Sequence, residues 1–405
     1  MSEQSAGAAR GETAASGEAP SFPLIFYLLV PLVALLLPVV VLEGGLALIA
    51  PVPFASEVNM YYIADDYTGF LQKPNSVGHY PGGKAYINSL GHRDDEASRE
   101  KPDGVFRILV IGDSFTVGAN VEQDEPYAMV MERLLRERFG DRIEVLNAGV
   151  GAWNPFQYAQ YYEFHGRDFE PDLVVVGFFV GNDSYVAQND VSETRTAIAG
   201  RRVARDKLAE VKSLTFKIWL YERFNLARWW INRGAIVFDE SDVLDHNSPR
   251  DGGDFSEKYL AVQTRRFARN HLQMNKRRRE MMENCVVQVR RIQDLAAKDG
   301  ASTFVLLIPD ENQINRSLAE AVWPQEQPQR YDLDMPQSLL HDMLGEIDLP
   351  VIDPRPAFLA DERRLYMNDT HWNAGGHQLA AEEIVKAIEP TISAEVSGES
   401  STSIP

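Results

Sequence analysis

Cysteine is almost absent from the sequence, since Cys285 is the only one among 405 residues. A lone cysteine excludes an intrachain disulfide framework and a cysteine-rich zinc site. It leaves the compartment open, because disulfide-free domains occur on either side of a membrane. Cys285 falls on the apolar face of a predicted long helix, so we expect a buried core thiol.

Basic residues are also scarce. The chain has 40 Lys and Arg against 59 Asp and Glu, which gives a formal charge of −19. Such an acidic chain is a poor general nucleic-acid binder, and we expect no nucleic-acid partner. The one basic run, residues 276–279, is interpreted as a solvated helix face.

Large apolar side chains are nearly missing from residues 1–21, which are expected to be a disordered tail. Residues 22–42 then form an apolar run without a charge, long enough to span a bilayer as a helix that could extend to about residue 50. Its three prolines are expected to kink this helix. The alternative is a cleaved signal peptide, which the length of the run, its charge-poor start and the lack of a small-x-small site argue against.

The distribution of charge around this run favours one orientation. Arg10 lies upstream, whereas Glu43 and Glu57 lie downstream, and no Lys or Arg follows the run until Lys73. Positive residues prefer the cytoplasmic side, so we expect an N-terminus inside and a C-terminal domain exposed to the periplasm or cell exterior. The predicted localisation is therefore single-pass membrane, with the larger domain extracytoplasmic.

After a polar lead-in, residues 55–104, strand and helix patterns alternate over residues 105–392. This alternation predicts a three-layer α/β/α sandwich with a mostly parallel sheet. The last helix is expected to stop at Pro390, and residues 393–405 are expected to be disordered. The predicted strands are residues 106–112, 143–147, 172–180, 303–309 and 350–353.

Residues 184–300 interrupt the alternation and are interpreted as a helical insertion. They include an aromatic stretch, residues 216–230, with Trp219, Tyr221, Phe224, Trp229 and Trp230. These rings form either a lid or a surface for a membrane or a glycan, or else they pack inside a small helical subdomain. We favour the internal packing.

Four short segments carry candidate chemistry: GDSFTVG (112–118), NAGVGAW (147–153), GND (181–183) and NDTHWN (368–373). The first three follow successive predicted strands, at the sheet edge where open α/β folds bind ligands. Each alone has an ordinary explanation, as a helix cap, a turn or a polar pair. Together they supply a nucleophilic serine, oxyanion donors and an oriented histidine.

The four segments resemble the four blocks of the SGNH (GDSL) hydrolase superfamily, with Ser114, Gly151, Asn182 and His371 at the name-giving positions. The resemblance implies a flavodoxin-like sandwich without a cofactor or metal. It also implies Ser114 as nucleophile and His371 as base. The backbone N–H groups of Ser114 and Gly151, with the Asn182 amide, would form the oxyanion hole.

The last block departs from the common D-x-x-H pattern, because position 368 is Asn and Asp369 lies only two residues before His371. This D-x-H-W pattern is similar to that of SGNH proteins of alginate and other polysaccharide O-acetylation. We assign Asp369 as the acid of the triad. His377, six residues after His371, is expected to be structural.

These features predict a membrane-anchored serine ester hydrolase acting on an acyl or acetyl ester of a cell-envelope glycan or lipid. One alternative is an O-acyltransferase of an extracytoplasmic polysaccharide, which would need a membrane acyl-donor partner. Both reactions use the same triad, so the triad does not separate them. A second alternative is a non-catalytic glycan-binding module, which the intact set of five site residues argues against.

Overall fold

The computed structural model describes residues 23–50, 62–80, 83–185, 188–198, 201–208, 216–217, 219–220, 223–233, 255–367 and 369–397. The predicted tail 1–21 lies outside the described residues, as do Tyr221, Asn368 and residues 398–405.

Strands are short outside the main sheet and up to seven residues long within it. The described strands are β1 (Tyr62–Asp65), β2 (Gly69–Gln72), β3 (Ser76–Tyr80), β4 (Gly83–Ile87), β5 (Phe106–Gly112), β6 (Ile143–Asn147), β7 (Leu173–Phe179), β8 (Thr196–Ile198), β9 (Arg201–Val203), β10 (Ser302–Ile308) and β11 (Val351–Ile352).

Helices separate the strands of the main sheet. The described α-helices are α1 (Leu24–Ile49), α2 (Tyr127–Phe139), α3 (Pro155–Phe164), α4 (Asn225–Arg233), α5 (Glu257–Phe267), α6 (Lys276–Lys298), α7 (Glu311–Ile314), α8 (Arg316–Val322), α9 (Met335–Gly345), α10 (Arg355–Ala360) and α11 (Ala374–Ser397).

The main sheet has five parallel strands in the order β6–β5–β7–β10–β11. Every residue of β5 and β7 is buried, as expected where helices cover both faces of a parallel sheet. Parallel strands end at one edge, so the segments after β5, β6 and β7 lie together there. The five strands predicted from the sequence are those observed, with ends shifted by no more than a residue or two.

Two apolar cores lie on opposite faces of this sheet. Leu109 points into one core with Tyr158 of α3 and Cys285 of α6. Val110 points into the other core, with Ile384 of α11. Successive side chains of a strand point to opposite faces, so β5 supplies both cores. The predicted three-layer α/β/α fold is confirmed, and Cys285 is buried as predicted.

Antiparallel hairpins lie outside the main sheet. The segment 55–104, expected only as a polar lead-in, contains the hairpins β1–β2 and β3–β4. A third hairpin, β8–β9, lies in the insertion. These hairpins are too short for the sequence pattern to reveal them.

The last helix differs from the prediction, because α11 continues through Pro390 to Ser397. Proline removes one backbone hydrogen bond, which costs a helix stability. Here Ile388 and Ile392 are fully buried on either side of Pro390, and this packing holds the helix together. The predicted helix end at Pro390 and the predicted disorder of residues 393–397 are therefore wrong.

The aromatic stretch of the insertion also differs from the prediction. Trp219, Phe224, Trp229 and Trp230 are all exposed, Trp230 most of all at 75%. Internal packing of these four rings is therefore wrong. Large exposed aromatic surface in a protein marks a contact site rather than a core.

Helices α1 and α4 form one compact unit, and the other described elements form a second. Helix α1 contains Pro31 and Pro38, and none of its side chains is buried. Its length and composition suffice to cross a membrane, although a signal sequence shares both properties.

Candidate active site

Ser114 lies in the turn that follows β5, and it is partly exposed. The turn is held by backbone hydrogen bonds from Val117 N–H to the Asp113 carbonyl (3.0 Å) and from Ala119 N–H to the Ser114 carbonyl (2.9 Å). Strand β5 is buried along its whole length, so a packed element supports the serine at the edge of the sheet.

His371 lies in the loop before α11, and it bridges Ser114 and Asp369. His371 Nε2 is 2.8 Å from Ser114 Oγ, and His371 Nδ1 is 3.0 Å from Asp369 Oδ2. The carboxylate holds the ring proton on Nδ1, which leaves the lone pair of Nε2 facing the serine hydroxyl. The structure therefore brings the three residues together in the order that nucleophilic catalysis requires.

Asp369 is only 3% exposed, and three donor groups among the described residues contact its carboxylate. Oδ1 accepts a 3.1 Å hydrogen bond from the His371 backbone N–H. Oδ2 accepts from His371 Nδ1 and from Asn120 Nδ2. These contacts satisfy a buried carboxylate and fix its direction.

Asn120 is a functional candidate that the sequence reasoning missed. It is buried, and its backbone has φ +69°, in the left-handed region that Asn tolerates better than most residues. This conformation follows Gly118, which has φ +73°. An Asn shortly after a glycine at the end of the serine block was the one available signal.

Gly151 lies beside the serine, in the segment after β6. A Cβ added at Gly151 would lie 4.0 Å from Ser114 Cβ and 3.6 Å from the Tyr62 hydroxyl. The Gly151 carbonyl accepts a 2.7 Å hydrogen bond from Arg202 Nη1, on β9 of the insertion. Neither Ser114 N–H nor Gly151 N–H donates to another group among the described residues, so both are available to a bound oxyanion.

A close approach between two backbone segments occurs at Gly149, whereas Gly151 has only ordinary contacts. A Cβ at Gly149 would lie 2.4 Å from the Val117 nitrogen. The Gly149 carbonyl also accepts a 2.6 Å hydrogen bond from Gln72 Nε2, at the end of β2. Only glycine fits there, and it lets the segments after β5 and β6 pack against each other.

Asn182 lies in the turn after β7, with an exposed side chain. Its backbone N–H donates to the Phe179 carbonyl at 3.0 Å. Within the described part of the chain, no side-chain hydrogen bond links Asn182 to Ser114, His371 or Gly151. The amide thus lies at the edge of the sheet where β7 ends, and it is exposed.

Two carboxyl groups near this turn are buried, Asp183 within it and Asp113 beside Ser114. Asp183 accepts hydrogen bonds from Tyr158 Oη (2.9 Å) and Phe179 N–H (3.0 Å). Burial raises the pKa of Asp183 well above its usual range, and the neighbouring Asp113 carboxyl raises it further. Burial also raises the pKa of Asp113 to about 6.

Helix α5 of the insertion contacts the loop that carries the acid and base. Gln263 Nε2 and Arg266 Nη1 donate to Thr370 Oγ1 at 2.7 Å and 2.8 Å. Thr370 lies between Asp369 and His371. The insertion leaves the sheet at the edge expected from the sequence, and it reaches the site residues directly.

His377 is completely buried, and it accepts a 3.2 Å hydrogen bond at Nδ1 from the Tyr127 backbone N–H. Burial lowers the pKa of His377 to about 3. A neutral histidine packed in this way has a structural role, as predicted. Within the described ranges, no group of three or more His, Cys, Asp and Glu side chains could hold a metal ion.

Residues 267–403 match a family model described as the SGNH hydrolase-like domain of the acetyltransferase AlgX. The match spans about a third of the chain and includes Asp369 and His371, but neither Ser114 nor Gly151. The resemblance to SGNH hydrolases is confirmed in this segment. No curated protein matches the sequence.

Solved structures with similar folds include three ester-acting enzymes. The lipase/acylhydrolase from Enterococcus faecalis is 14% identical over 71% of this chain and 97% of its own, with a TM-score of 0.35. The acetyl xylan esterase AlAXEase is 14% identical over 70% and 100%, with a TM-score of 0.35. The lipase Lip_vut3 from a goat rumen metagenome is 12% identical over 70% and 97%, with a TM-score of 0.37. Such low scores and identities carry no argument about the activity of this chain.

Proposed function

We propose that this protein is a serine ester enzyme that forms an acyl-enzyme on Ser114. The observation that carries this proposal is the continuous contact from Ser114 Oγ through His371 to the buried Asp369 carboxylate, at 2.8 Å and 3.0 Å. A serine hydroxyl is a weak nucleophile unless a base is within hydrogen-bond distance, and here the base is in place.

In the first half of the reaction, His371 Nε2 takes the Ser114 proton while Oγ bonds to the ester carbonyl carbon. The carbonyl oxygen becomes an oxyanion, which Ser114 N–H, Gly151 N–H and the Asn182 amide stabilise. The intermediate then collapses, the alcohol leaves with the proton from His371, and the acyl group stays on Ser114. Asp369 stabilises the charged imidazolium without taking its proton.

In the second half, an acceptor attacks the acyl-enzyme, again with His371 as base. Water as acceptor gives an ester hydrolase, whereas a sugar hydroxyl gives an O-acyltransferase. The triad geometry supports both reactions equally. The match of residues 267–403 to an acetyltransferase family favours transfer of acetyl groups as the second candidate.

The location that we propose limits the substrate class. If α1 anchors the chain with its C-terminal domain outside, the enzyme meets envelope glycans and lipids. A transferase would also need an acyl donor delivered at the membrane. A phosphatase fused to the C-terminus should be active, and a reporter that works only in the cytosol should be inactive. The reverse pattern would contradict the proposed orientation.

The first test of the mechanism is labelling of the full-length protein with a fluorophosphonate probe. We expect labelling of the wild type and none of Ser114→Ala, with Ser192→Ala as an exposed serine control. Absence of wild-type labelling would favour the binding-module alternative.

The second test separates hydrolysis from transfer. The enzyme is given an aryl acetate with and without soluble polysaccharide acceptors, and both acetate and acetylated glycan are quantified. Release of acetate alone identifies a hydrolase, whereas acceptor-dependent acetylation identifies a transferase.

A further inference from the structure

Glu43 of α1 makes an unusual set of contacts with the start of α4. Its carboxylate accepts hydrogen bonds from Asn225 N–H (2.6 Å), Leu226 N–H (2.8 Å) and Asn225 Nδ2 (3.0 Å). The first N–H groups of a helix have no acceptor within the helix, so a carboxylate there is stabilising. The contact fixes the start of α4 beside Glu43.

Glu43 is the first charged residue after the apolar part of α1, residues 24–42. Nineteen helical residues span about 28 Å at 1.5 Å each, close to the thickness of the hydrocarbon core of a bilayer. If α1 spans a membrane, Glu43 therefore lies at the boundary between the acyl chains and the headgroups. The start of α4 lies at the same level, because Glu43 holds it there.

Helix α4 presents an aromatic face. Leu226, Trp229 and Trp230 are spaced i, i+3 and i+4, so they share one side of the helix. Trp229 is 43% exposed and Trp230 is 75% exposed. Tryptophan is enriched at the headgroup level of membranes, where the ring has apolar contacts and the indole N–H meets water.

We propose that α4 is an interfacial helix, whose aromatic face of Leu226, Trp229 and Trp230 docks on the surface of the lipid bilayer. This inference rests on the proposed anchoring of the chain by α1. Aromatic rings exposed on an exported domain also suit a glycan. The Glu43 contacts favour the bilayer, because they tie α4 to the end of the apolar segment of α1.

The proposal is tested by the depth of two labelled positions in the full-length protein, reconstituted in phosphatidylcholine and phosphatidylglycerol vesicles. An environment-sensitive fluorophore is attached to Trp230→Cys or, as a reference, to Leu35→Cys in the middle of α1. The native Cys285 is buried and does not compete for the label. Bromine atoms on the lipids, near the headgroup or near the chain end, quench the label at matching depth.

We expect label 230 to be quenched about twofold or more by shallow bromine, and label 35 by deep bromine. If label 35 is quenched and label 230 is not, the chain is anchored but the docking of α4 is wrong. If neither label is quenched, the anchoring itself fails. A response of label 230 to soluble polysaccharide but not to brominated lipid would assign the aromatic face to a glycan.

Two variants of Glu43 test whether this residue holds the start of α4. Glu43→Ala removes the carboxylate that accepts from the start of α4, whereas Glu43→Gln keeps one carbonyl acceptor. We expect Glu43→Ala to lower the shallow quenching of label 230 by about half or more, and Glu43→Gln to lower it less. Quenching of label 35 should not change in either variant. Unchanged shallow quenching in Glu43→Ala would overturn the proposed link between α1 and α4.

Discussion

Gln263 donates a 2.7 Å hydrogen bond to the hydroxyl of Thr370, the residue between the proposed acid and base. The Thr370 backbone has φ +86°, a left-handed conformation that is costly for a threonine. Such a conformation persists only where neighbouring groups stabilise it, and the hydrogen bonds from Gln263 and Arg266 do so here. The insertion therefore positions the loop on which Asp369 and His371 are displayed.

The first prediction follows from this contact. Gln263→Ala should lower kcat about tenfold with little change in KM. The reason is that a lost buried hydrogen bond destabilises the active position of the loop by about 1.4 kcal/mol, which corresponds to a tenfold change in rate. Steady-state kinetics with an aryl acetate measure both constants. The exposed neighbour Arg265→Ala is the matched control and should match the wild type.

Variants of Thr370 separate positioning from stability. Thr370→Ser keeps the hydroxyl and should keep most of kcat. Thr370→Gly relieves the backbone strain but loses the hydroxyl, so it should keep the melting temperature while kcat falls. A Thr370→Gly enzyme with full activity would mean that the hydrogen bonds from α5 are not needed.

The second prediction concerns the order of effects in the proposed triad. Ser114→Ala should abolish acyl-enzyme formation, with kcat falling about a millionfold, and His371→Ala should be nearly as severe. Asp369→Asn should lower kcat about ten-thousandfold. Its carboxylate accepts from His371 N–H, His371 Nδ1 and Asn120 Nδ2, so an amide group there must face at least one donor with another donor.

Two further variants test the assignment of the acid. Asn120→Ala removes one donor to Asp369 and should lower kcat by about tenfold, much less than Asp369→Asn. Asn368→Ala should leave the activity nearly unchanged. A crippled Asn368→Ala beside an active Asp369→Ala would move the acid by one residue and leave the rest of the mechanism intact.

The strand ends made much of this site predictable. Ser114, Gly151 and Asn182 each follow a buried apolar run, and parallel strands bring such positions to one edge of a sheet. His371 was found because a carboxylate lies two residues before it. Each of these signals lies within a few consecutive residues, so a single sequence was enough to find them.

Other parts of the site depend on contacts between distant residues, and the sequence carries no local signal for them. Asn120 donates to Asp369 across 249 positions, from a left-handed backbone conformation. Gln263 and Arg266 lie on an ordinary amphipathic helix of the insertion. The end of α11 was misjudged because Pro390 outweighed the burial of Ile392, which only the packing reveals.

The third prediction tests the oxyanion hole. Asn182→Ala should lower kcat about a hundredfold or more with little change in KM, since in the proposed mechanism the amide donates where negative charge develops in the transition state. The measurement is kcat and KM on the same aryl acetate. A large rise in KM with an unchanged kcat would instead make Asn182 a substrate-binding residue.

The fourth prediction compares two glycines of one segment. Gly149→Ala places a methyl group 2.4 Å from the Val117 nitrogen, so the backbone must move, and we expect a loss of about 3 kcal/mol or more in the free energy of unfolding. Gly151→Ala makes only ordinary contacts at 3.6 Å and 4.0 Å and keeps its N–H. It should fold normally and remain reactive toward the fluorophosphonate, which thermal unfolding and labelling together check.

The last prediction concerns stability at low pH. His92 is buried against Tyr161, and burial, together with the positive charges of Arg99 and Arg107, lowers its pKa from 6.5 to about 3. Between these two pKa values the unfolded chain binds a proton that the folded chain does not. The free energy of unfolding therefore falls as the pH falls through this window, by up to about 1.4 kcal/mol per pH unit.

His92→Gln removes this titration while an amide can still pair with the Tyr161 hydroxyl, so its unfolding free energy should fall less steeply below about pH 6. Part of the dependence should remain, because the pKa of the buried His377 is also lowered to about 3. Guanidinium unfolding in detergent, followed by tryptophan fluorescence at several pH values, measures the slopes. Parallel slopes for His92→Gln and the wild type would mean that His92 is protonated in the folded protein.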